Sequence, residues 1–234
     1  MRADALLSRY GYCSRREAAV WLKQGRLSDN GVVISSPSAR VQEDRALVNG
    51  EPVPFPHGLY IAFHKPVGYT CTHAEEDGTP VYDLLPEQWR RRTPEVQSVG
   101  RLDKETSGIL LFTDDGKLLH RLTSPRQHVL KTYAFCTLNP VPIEAVSLFA
   151  GGEMMLRGEK TPCLPAQLEL TSPCEGMLTL REGRYHQVRR MLAAVGAPVK
   201  SLKRVSIGPL SLDALGLAPG EWTEFNPALF VHEA

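Results

Sequence analysis

Asp103 follows Gly100-Arg101-Leu102 and precedes Lys104, just ahead of the apolar run Ile109-Leu110-Leu111-Phe112. The segment from Lys104 to Gly108 is polar and ends in glycine, so Asp103 is expected on a loop that feeds a buried strand. A carboxylate fixed there by a rigid scaffold can act as a nucleophile or base where neighbouring cations hold its charge. It can equally be a loop aspartate that accepts backbone N–H groups. A second group lies in "REGRYHQVRRM", residues 181–191, where Gly183 permits a tight turn into a helix and Arg184, His186, Gln187 and Arg189 crowd its start. Val188 and Met191 mark the core face, so Arg189 and Arg190 project sideways and outward. Such an arginine can clasp a carboxylate bidentately, lie against nucleic acid, or belong to a solvated basic face. His186 on its own reads as a hydrogen-bonded structural histidine.

Two further stretches carry candidates. In "TSPRQHVLKTYAF", residues 123–135, Ser124-Pro125-Arg126 closes a helix, and Lys131 and Tyr133 then share one face of a strand. A cation beside an aromatic on a sheet face can stack and hold a nucleobase, and it is also what a half-buried strand looks like. In "FHKPVGYTCT", residues 63–72, Pro66 and Gly68 turn the chain beside Lys65. The five cysteines are dispersed with no C-x-x-C pair, which fits reduced thiols, and Cys71 with His73 is too few ligands for a metal. No metal is expected from this spacing.

The elements that must position these groups fall into two units. Residues 1–52 read as a small α/β module: a short helix capped by Asp4 and stopped at Gly11, then "SRREAAVWLKQG" with the Ser14/Glu17 capping box, Ala18, Trp21 and Leu22 on one face, and Gly25 at its end. Strand-like pieces follow at Val32–Ile34, after Asp29-Asn30-Gly31, and, beyond a polar loop, at Ala46–Val48. The proline-rich stretch 53–58 reads as a linker, and residues 59–234 as a second domain. That domain carries strand patterns at Tyr60–His64, Ile109–Thr113, Thr132–Leu138, Ala166–Leu170, Leu178–Arg181 and Val205–Leu212. Helices are expected from about Asp115 to Pro125, from Pro142 to Gly151, and over 186–196. Without regular β-α alternation, the class is α+β around a mixed, mainly antiparallel sheet.

Composition excludes little and charge says more. No run approaches the ~20 apolar residues of a membrane span, and no signal-peptide core follows Met1, so a cytoplasmic protein without membrane association is expected. Net charge is only +1, but residues 181–204 hold seven cations against Glu182 alone, and residues 205–234 hold four acids and no Lys or Arg. A near-neutral chain segregated in this way can present a basic face to nucleic acid.

Lys65-Pro66-x-Gly68, Gly100-Arg101-Leu102-Asp103, Lys131-x-Tyr133 and Gly183-Arg184-x-His186-Gln187-Val188-Arg189-Arg190-Met191 occur in this order. Together they resemble the pseudouridine synthases of the ribosomal small-subunit type, and "CSRREAAVWLKQGRL" resembles the S4 RNA-binding domain that precedes the catalytic domain in that family. The resemblance spans essentially the whole chain. It implies that Asp103 is the catalytic nucleophile in the isomerisation of uridine to pseudouridine within RNA, that Tyr133 stacks on the uracil and assists proton transfer, and that Arg189 pairs with Asp103. It further implies that Leu202 lines the pocket, that Lys65, Arg101, Lys131 and Arg184 contact the substrate or its scaffold, and that Arg15, Arg16, Lys23 and Arg26 bind RNA from the S4-like module. In "GRLSDNGVV" Asp29 departs from the family pattern and puts an acid where RNA would pass. "LTSPRQHVLKTY" looks most like the enzymes acting on a single uridine of 16S rRNA, naked or in a small-subunit assembly intermediate, with 23S rRNA as the alternative. A monomer is expected. The competing readings are an inactive rRNA-binding or assembly protein, and a nucleosidase or glycosidase, which needs a second carboxylate beside Asp103.

Overall fold

The computed structural model describes residues 1–74, 78–124 and 127–230; Pro125 and Arg126, expected to close a helix, lie outside them. In the N-terminal module, helices α1 (Ala3–Arg9) and α2 (Ala18–Lys23) pack on a four-stranded antiparallel sheet of order β2-β1-β3-β4: β1 (Leu27–Asp29), β2 (Val32–Val33), β3 (Ala46–Val48) and β4 (Glu51–Pro52). The capping box forms in both directions: Glu17 N donates to Ser14 Oγ at 3.3 Å and Ser14 N donates to Glu17 Oε2 at 2.9 Å. Asp4 is not the cap of α1. Arg2 occupies that position, and Asp4 sits inside the first turn, where its carboxylate accepts Ala5 N, pairs with Arg2 and faces the helix dipole favourably. Leu6, Leu7, Ala18, Leu22, Leu27 and Val48 close the module's core.

The remaining strands form one nine-stranded sheet whose main path is β13-β5-β7-β11-β8-β10-β9. Its members are β5 (Tyr60–Lys65), β6 (Gln97–Ser98), β7 (Thr106–Thr113), β8 (Lys131–Thr137), β9 (Gln167–Ser172), β10 (Glu175–Leu180), β11 (Val199–Ile207), β12 (Leu210–Ser211) and β13 (Trp222–Glu224). The small β6 pairs with β7 and β12 with β11. Every pairing is antiparallel except the central β7·β11 contact, Leu202 to Arg204 against Thr106 to Gly108. Gly108 is obligatory at that crossing: its φ is +117°, and a Cβ there would stand 2.2 Å from Arg204 O. Helices α3 (Glu87–Arg90), α4 (Gly116–Thr123), α5 (Glu144–Gly151), α6 (Gln187–Ala194) and α7 (Leu212–Leu215) fill the connections. Asp115 caps α4 by accepting from Lys117 N and Leu118 N, and Gly152 ends α5 in the left-handed region. The segment expected as one strand over Val205–Leu212 is instead the end of β11, a turn, and β12. The start of β11 is hidden in the sequence because Lys200 and Lys203 interrupt it on the solvent side.

Tyr10 joins the two units. Its hydroxyl donates to Glu43 Oε2 at 2.6 Å with Pro56 O at 2.9 Å as a second acceptor, its carbonyl accepts from Gln88 Nε2, and the Arg92 guanidinium lies 4.8 Å from its ring centre. Arg92 in turn forms a buried ion pair with Asp114 at 2.7 Å, while the second Asp114 oxygen accepts Leu59 N.

Candidate active site

Asp103 sits where the expected loop enters β7, and the loop is fixed from behind. Lys65, at the end of β5 and wholly buried, donates from Nζ to Thr106 O (2.8 Å), Pro66 O (3.0 Å) and Asp103 O (3.2 Å), with Lys104 O at 3.4 Å. Gly68 N donates to Lys104 O at 2.8 Å, and Leu102 is buried beneath. The Asp103 carboxylate thus stands out of a clamped backbone, about a third exposed. Lys65 therefore does not line the cavity as a substrate contact. Burial pushes its ammonium down to about 8, and it serves as the anchor of the loop.

Helix α6 supplies the opposite wall. Val188, Met191 and Leu192 bury its core face, which turns Arg189 toward the loop. Arg189 Nε lies 3.8 Å from Asp103 Oδ2, and its Nη2 donates to Glu105 O at 2.9 Å. His186, at the N-cap with φ +50°, places Nε2 3.3 Å from Asp103 Oδ1 and stacks on Tyr185 with ring centres 3.9 Å apart. The turn before α6 is braced by Glu182, which accepts from Arg184 Nε at 3.0 Å and from Gln187 Nε2 at 2.6 Å. Arg184 also donates to Thr161 O, so its guanidinium is committed to the scaffold even though its side chain borders the cavity.

Between these walls is a cavity of about 660 Å³ lined by Asp103, Tyr133, Leu202, Lys131, Arg204 and His186, with Arg101 exposed at its rim. Lys131 and Tyr133 do share one face of β8, and both reach the cavity. Burial, and then the Arg204 charge, push the Lys131 ammonium down to about 8. Of the nearby acids that could have made a second catalytic carboxylate, Asp114 is engaged by Arg92 and Asp115 by the α4 cap, and Glu105 is exposed and outside the lining of the cavity.

The S4-like basic residues lie in the N-terminal module and take no part in this cavity. Arg15, Arg16 and Lys23 are exposed. Arg26 is half-buried with its guanidinium 4.5 Å from the Trp21 ring centre, so it presents only an edge to solvent. Asp29 does not project into open space: its Oδ2 accepts Gln42 N at 2.9 Å and its Oδ1 faces Arg45 at 3.9 Å. Two groups escaped the sequence reading. His186 was legible only as a structural histidine, and Arg204 was not singled out, although a cation two residues past Leu202 falls on the same strand face.

Residues 59–194 match the family model described as RNA pseudouridylate synthase, and residues 1–46 match that of the S4 domain. The chain belongs to the RNA pseudouridylate synthase family. It is 41% identical over 228 residues to the ribosomal small subunit pseudouridine synthase A of Pasteurella multocida (strain Pm70), covering 97% of this chain and 96% of the relative. It is 40% identical over 233 residues to an uncharacterized RNA pseudouridine synthase of Bacillus subtilis (strain 168), covering 97% and 95%. Among solved structures, one pseudouridylate synthase superposes with a TM-score of 0.68 at 34% identity, covering 99% of this chain and 98% of that one. As a pseudouridylate synthase the chain is an isomerase, and the cavity around Asp103 falls within the segment that the family model matches except for Leu202, Arg204 and Ile207, which lie beyond it. Among the described residues, no helix is long and apolar enough to cross a membrane.

Proposed function

We propose that this pseudouridylate synthase converts a uridine of small-subunit (16S) ribosomal RNA to pseudouridine, with Asp103 as the nucleophile. The observation that carries the reading is the Asp103 carboxylate on its clamped loop, facing His186 and Arg189 across the mouth of a cavity large enough for a nucleotide. The choice of small-subunit RNA rests on the names of the similar proteins.

A base stacked in a helix cannot turn over, so the target must first leave the stack, at a cost of a few kcal/mol. Tyr133 stacks on the extruded ring and Leu202 bounds it. Arg189 holds Asp103 in line with C1′, so the attack is positioned before the bond breaks. The C1′–N1 bond breaks, the ring turns, and C5 bonds to C1′; no water is consumed and no cofactor enters. Arg101 at the rim meets the phosphate backbone. Residues 1–52, joined through 53–58 to the catalytic domain 59–234, add affinity and orientation through Arg15, Arg16, Lys23 and the edge of Arg26. The protein works as a monomer in the cytoplasm, where its RNA is.

Incubation with unmodified 16S and 23S transcripts and with small-subunit assembly particles, followed by pseudouridine mapping, tests this reading. One modified position in 16S RNA or its particle is expected, and Asp103→Asn should abolish it while RNA binding is kept. Modification confined to 23S RNA would move the substrate; near-normal turnover by Asp103→Asn would overturn the mechanism; release of free uracil would make the enzyme a glycosidase.

A further inference from the structure

Arg204 is the least explained charged group in the molecule. It is 2% exposed, in the middle of β11, and it borders the cavity. Its Nε donates to Ile109 O at 2.8 Å, which fixes the plane of the guanidinium. Its Nη2 is buried with no partner, and Nη1 makes no hydrogen bond among the described residues. Lys131 lies on the adjacent strand, and among the described residues its Nζ donates only to Val129 O, at 2.9 Å. Neither cation enters an ion pair among the described residues. A buried guanidinium with unused donors is costly to keep, and a fold that needed only a strut there would do better with an apolar residue.

Its position says what the donors face. Arg204 is the cross-strand partner of Tyr133 and lies two residues beyond Leu202, so it flanks the two side chains that would hold the ring. We infer that Arg204, with Lys131 beside it, is the cationic floor that takes up the negative charge arriving on uracil when the C1′–N1 bond breaks, and that it grips one exocyclic oxygen of the ring before and after the ring turns. The inference deepens the proposed function and rests on it.

The chemistry requires such a group. On cleavage, the C1′–N1 electron pair passes to the ring, and C1′ takes Asp103 Oδ in its place. The ring becomes a monoanion whose charge is shared with O2 and O4. Rotation by half a turn about the N3–C6 axis exchanges N1 with C5 and O2 with O4. A donor that meets O2 before the turn therefore meets O4 after it, and the ring is held throughout. C5 then gives an electron pair to C1′, the Asp103 carboxylate leaves, C5 loses its proton and N1 gains one. Donors fixed in a water-excluded site and aimed where charge develops stabilise the transition state more than the ground state. Backbone phosphates, by contrast, are met at the rim by exposed Arg101, not by a guanidinium on the cavity floor.

The test compares wild type, Arg204→Met and Arg204→Lys in single turnover on RNA carrying uridine or 5-fluorouridine at the target, with RNA affinity measured in parallel. Fluorine makes the ring a better leaving anion, and it leaves C5 without a proton to lose, so on that RNA the rate read is that of C1′–N1 cleavage and C5–C1′ bond formation, not of pseudouridine release. On uridine RNA, Arg204→Met should lower the rate by about 10²–10³-fold with affinity nearly unchanged. On 5-fluorouridine RNA the deficit should shrink by at least about tenfold, a dependence that a merely structural residue would not show. Equal deficits on both RNAs, or an affinity loss matching the rate loss with a salt slope reduced by about 0.7, would overturn the inference; the second result would assign Arg204 to a phosphate. Should Arg204→Met not fold, a structure of Asp103→Asn with bound RNA decides. An Nη nitrogen within hydrogen-bond reach of uracil O2 or O4 supports the floor, and any other partner refutes it. A wild type that forms no pseudouridine sinks the functional reading and the floor with it, whereas an active wild type with an unimpaired Arg204→Met sinks the floor alone.

Discussion

Lys65→Met isolates what the clamp behind Asp103 contributes. The substitution removes the Nζ that ties Thr106 O, Pro66 O and Asp103 O at 2.8 to 3.2 Å and takes that donor from Thr106 O and Pro66 O, while Asp103 O keeps Thr106 N at 3.0 Å. Each buried carbonyl left unpaired costs about 1–3 kcal/mol, against which stands the relief of no longer burying an ammonium. The second quantity can be worked from the titration. Lys65 falls from its ordinary 10.5 to about 8 in the folded chain, mainly through burial. A lysine with a depressed folded value opposes folding while it is protonated. The penalty is full below about 8 and fades as pH rises toward 10.5, because the unfolded chain binds more protons across that window. From pH 7 to pH 10 the wild type therefore gains about 2–3 kcal/mol relative to Lys65→Met. Urea unfolding of both proteins across this range measures the difference, in which every other titrating group cancels. Single-turnover pseudouridine formation at pH 7 should also fall by about 10²-fold, the scale expected when a reacting group drifts by about an ångström. A stability difference that stays flat with pH, together with undiminished turnover, would refute both the buried charge and its hold on the loop.

Asp114→Asn leaves the Arg92 guanidinium buried without its counter-charge and should cost about 3–5 kcal/mol, lowering the thermal midpoint by roughly 10 °C; a loss below about 1 kcal/mol would show that the pair is not the strut under Tyr10. Lys131 on β8 lies beside Arg204 on β11, and burial together with that charge puts its folded value at about 8, so its positive charge is present below that pH and lost above it. Turnover should accordingly fall as pH rises through about 8, and Lys131→Arg, which stays charged, should flatten the fall; an unchanged profile in that variant would shift the titration to Lys65. Charge reversal of Arg15 and Arg16 together should weaken RNA binding and reduce the slope of log affinity against log salt by about 0.7 for each phosphate no longer neutralised, with single-turnover chemistry at saturating RNA unchanged.

The groups that proved legible in the sequence are those whose function is written locally. A capping box needs only Ser14 and Glu17 at the right spacing, and α6 announces its buried face through Val188, Met191 and Leu192, which is why Arg189 could be set off the core face, while its pairing with Asp103 was implied only by the family resemblance. Lys131 and Tyr133 follow from strand alternation alone. What stayed hidden depends on pairings between distant segments. Lys65 looked like a cation at a turn, and only the return of residues 103–106 against β5 and β7 turns it into a buried clamp. Asp29 looked exposed until Gln42 and Arg45 were folded over it. Arg204 was invisible because its surroundings come from β7 and β8, which approach it across a parallel contact and an antiparallel one. The parallel contact, permitted by a glycine at 108, has no local sign beyond that glycine.

The distribution of charge in the cavity discriminates between the chemistries that one aspartate could serve. A glycosidase needs a second carboxyl group to protonate and discard its leaving group. Here Glu182, which borders the cavity, is held by Arg184 and Gln187, Asp114 and Asp115 are engaged away from it, and Glu105 is exposed and does not line it. In place of an acid, the cavity presents Lys131 and Arg204 without counter-charges among the described residues. An isomerase must not discard the base. It has to keep a ring that is an anion for as long as the ring takes to turn, and protonating that ring would remove the electron density that C5 must offer to C1′. Fixed cations stabilise such an intermediate without quenching it, whereas a general acid would quench it. One carboxylate, the proposed nucleophile, over a floor of cations unpaired among the described residues is therefore the arrangement that rearrangement calls for and hydrolysis does not.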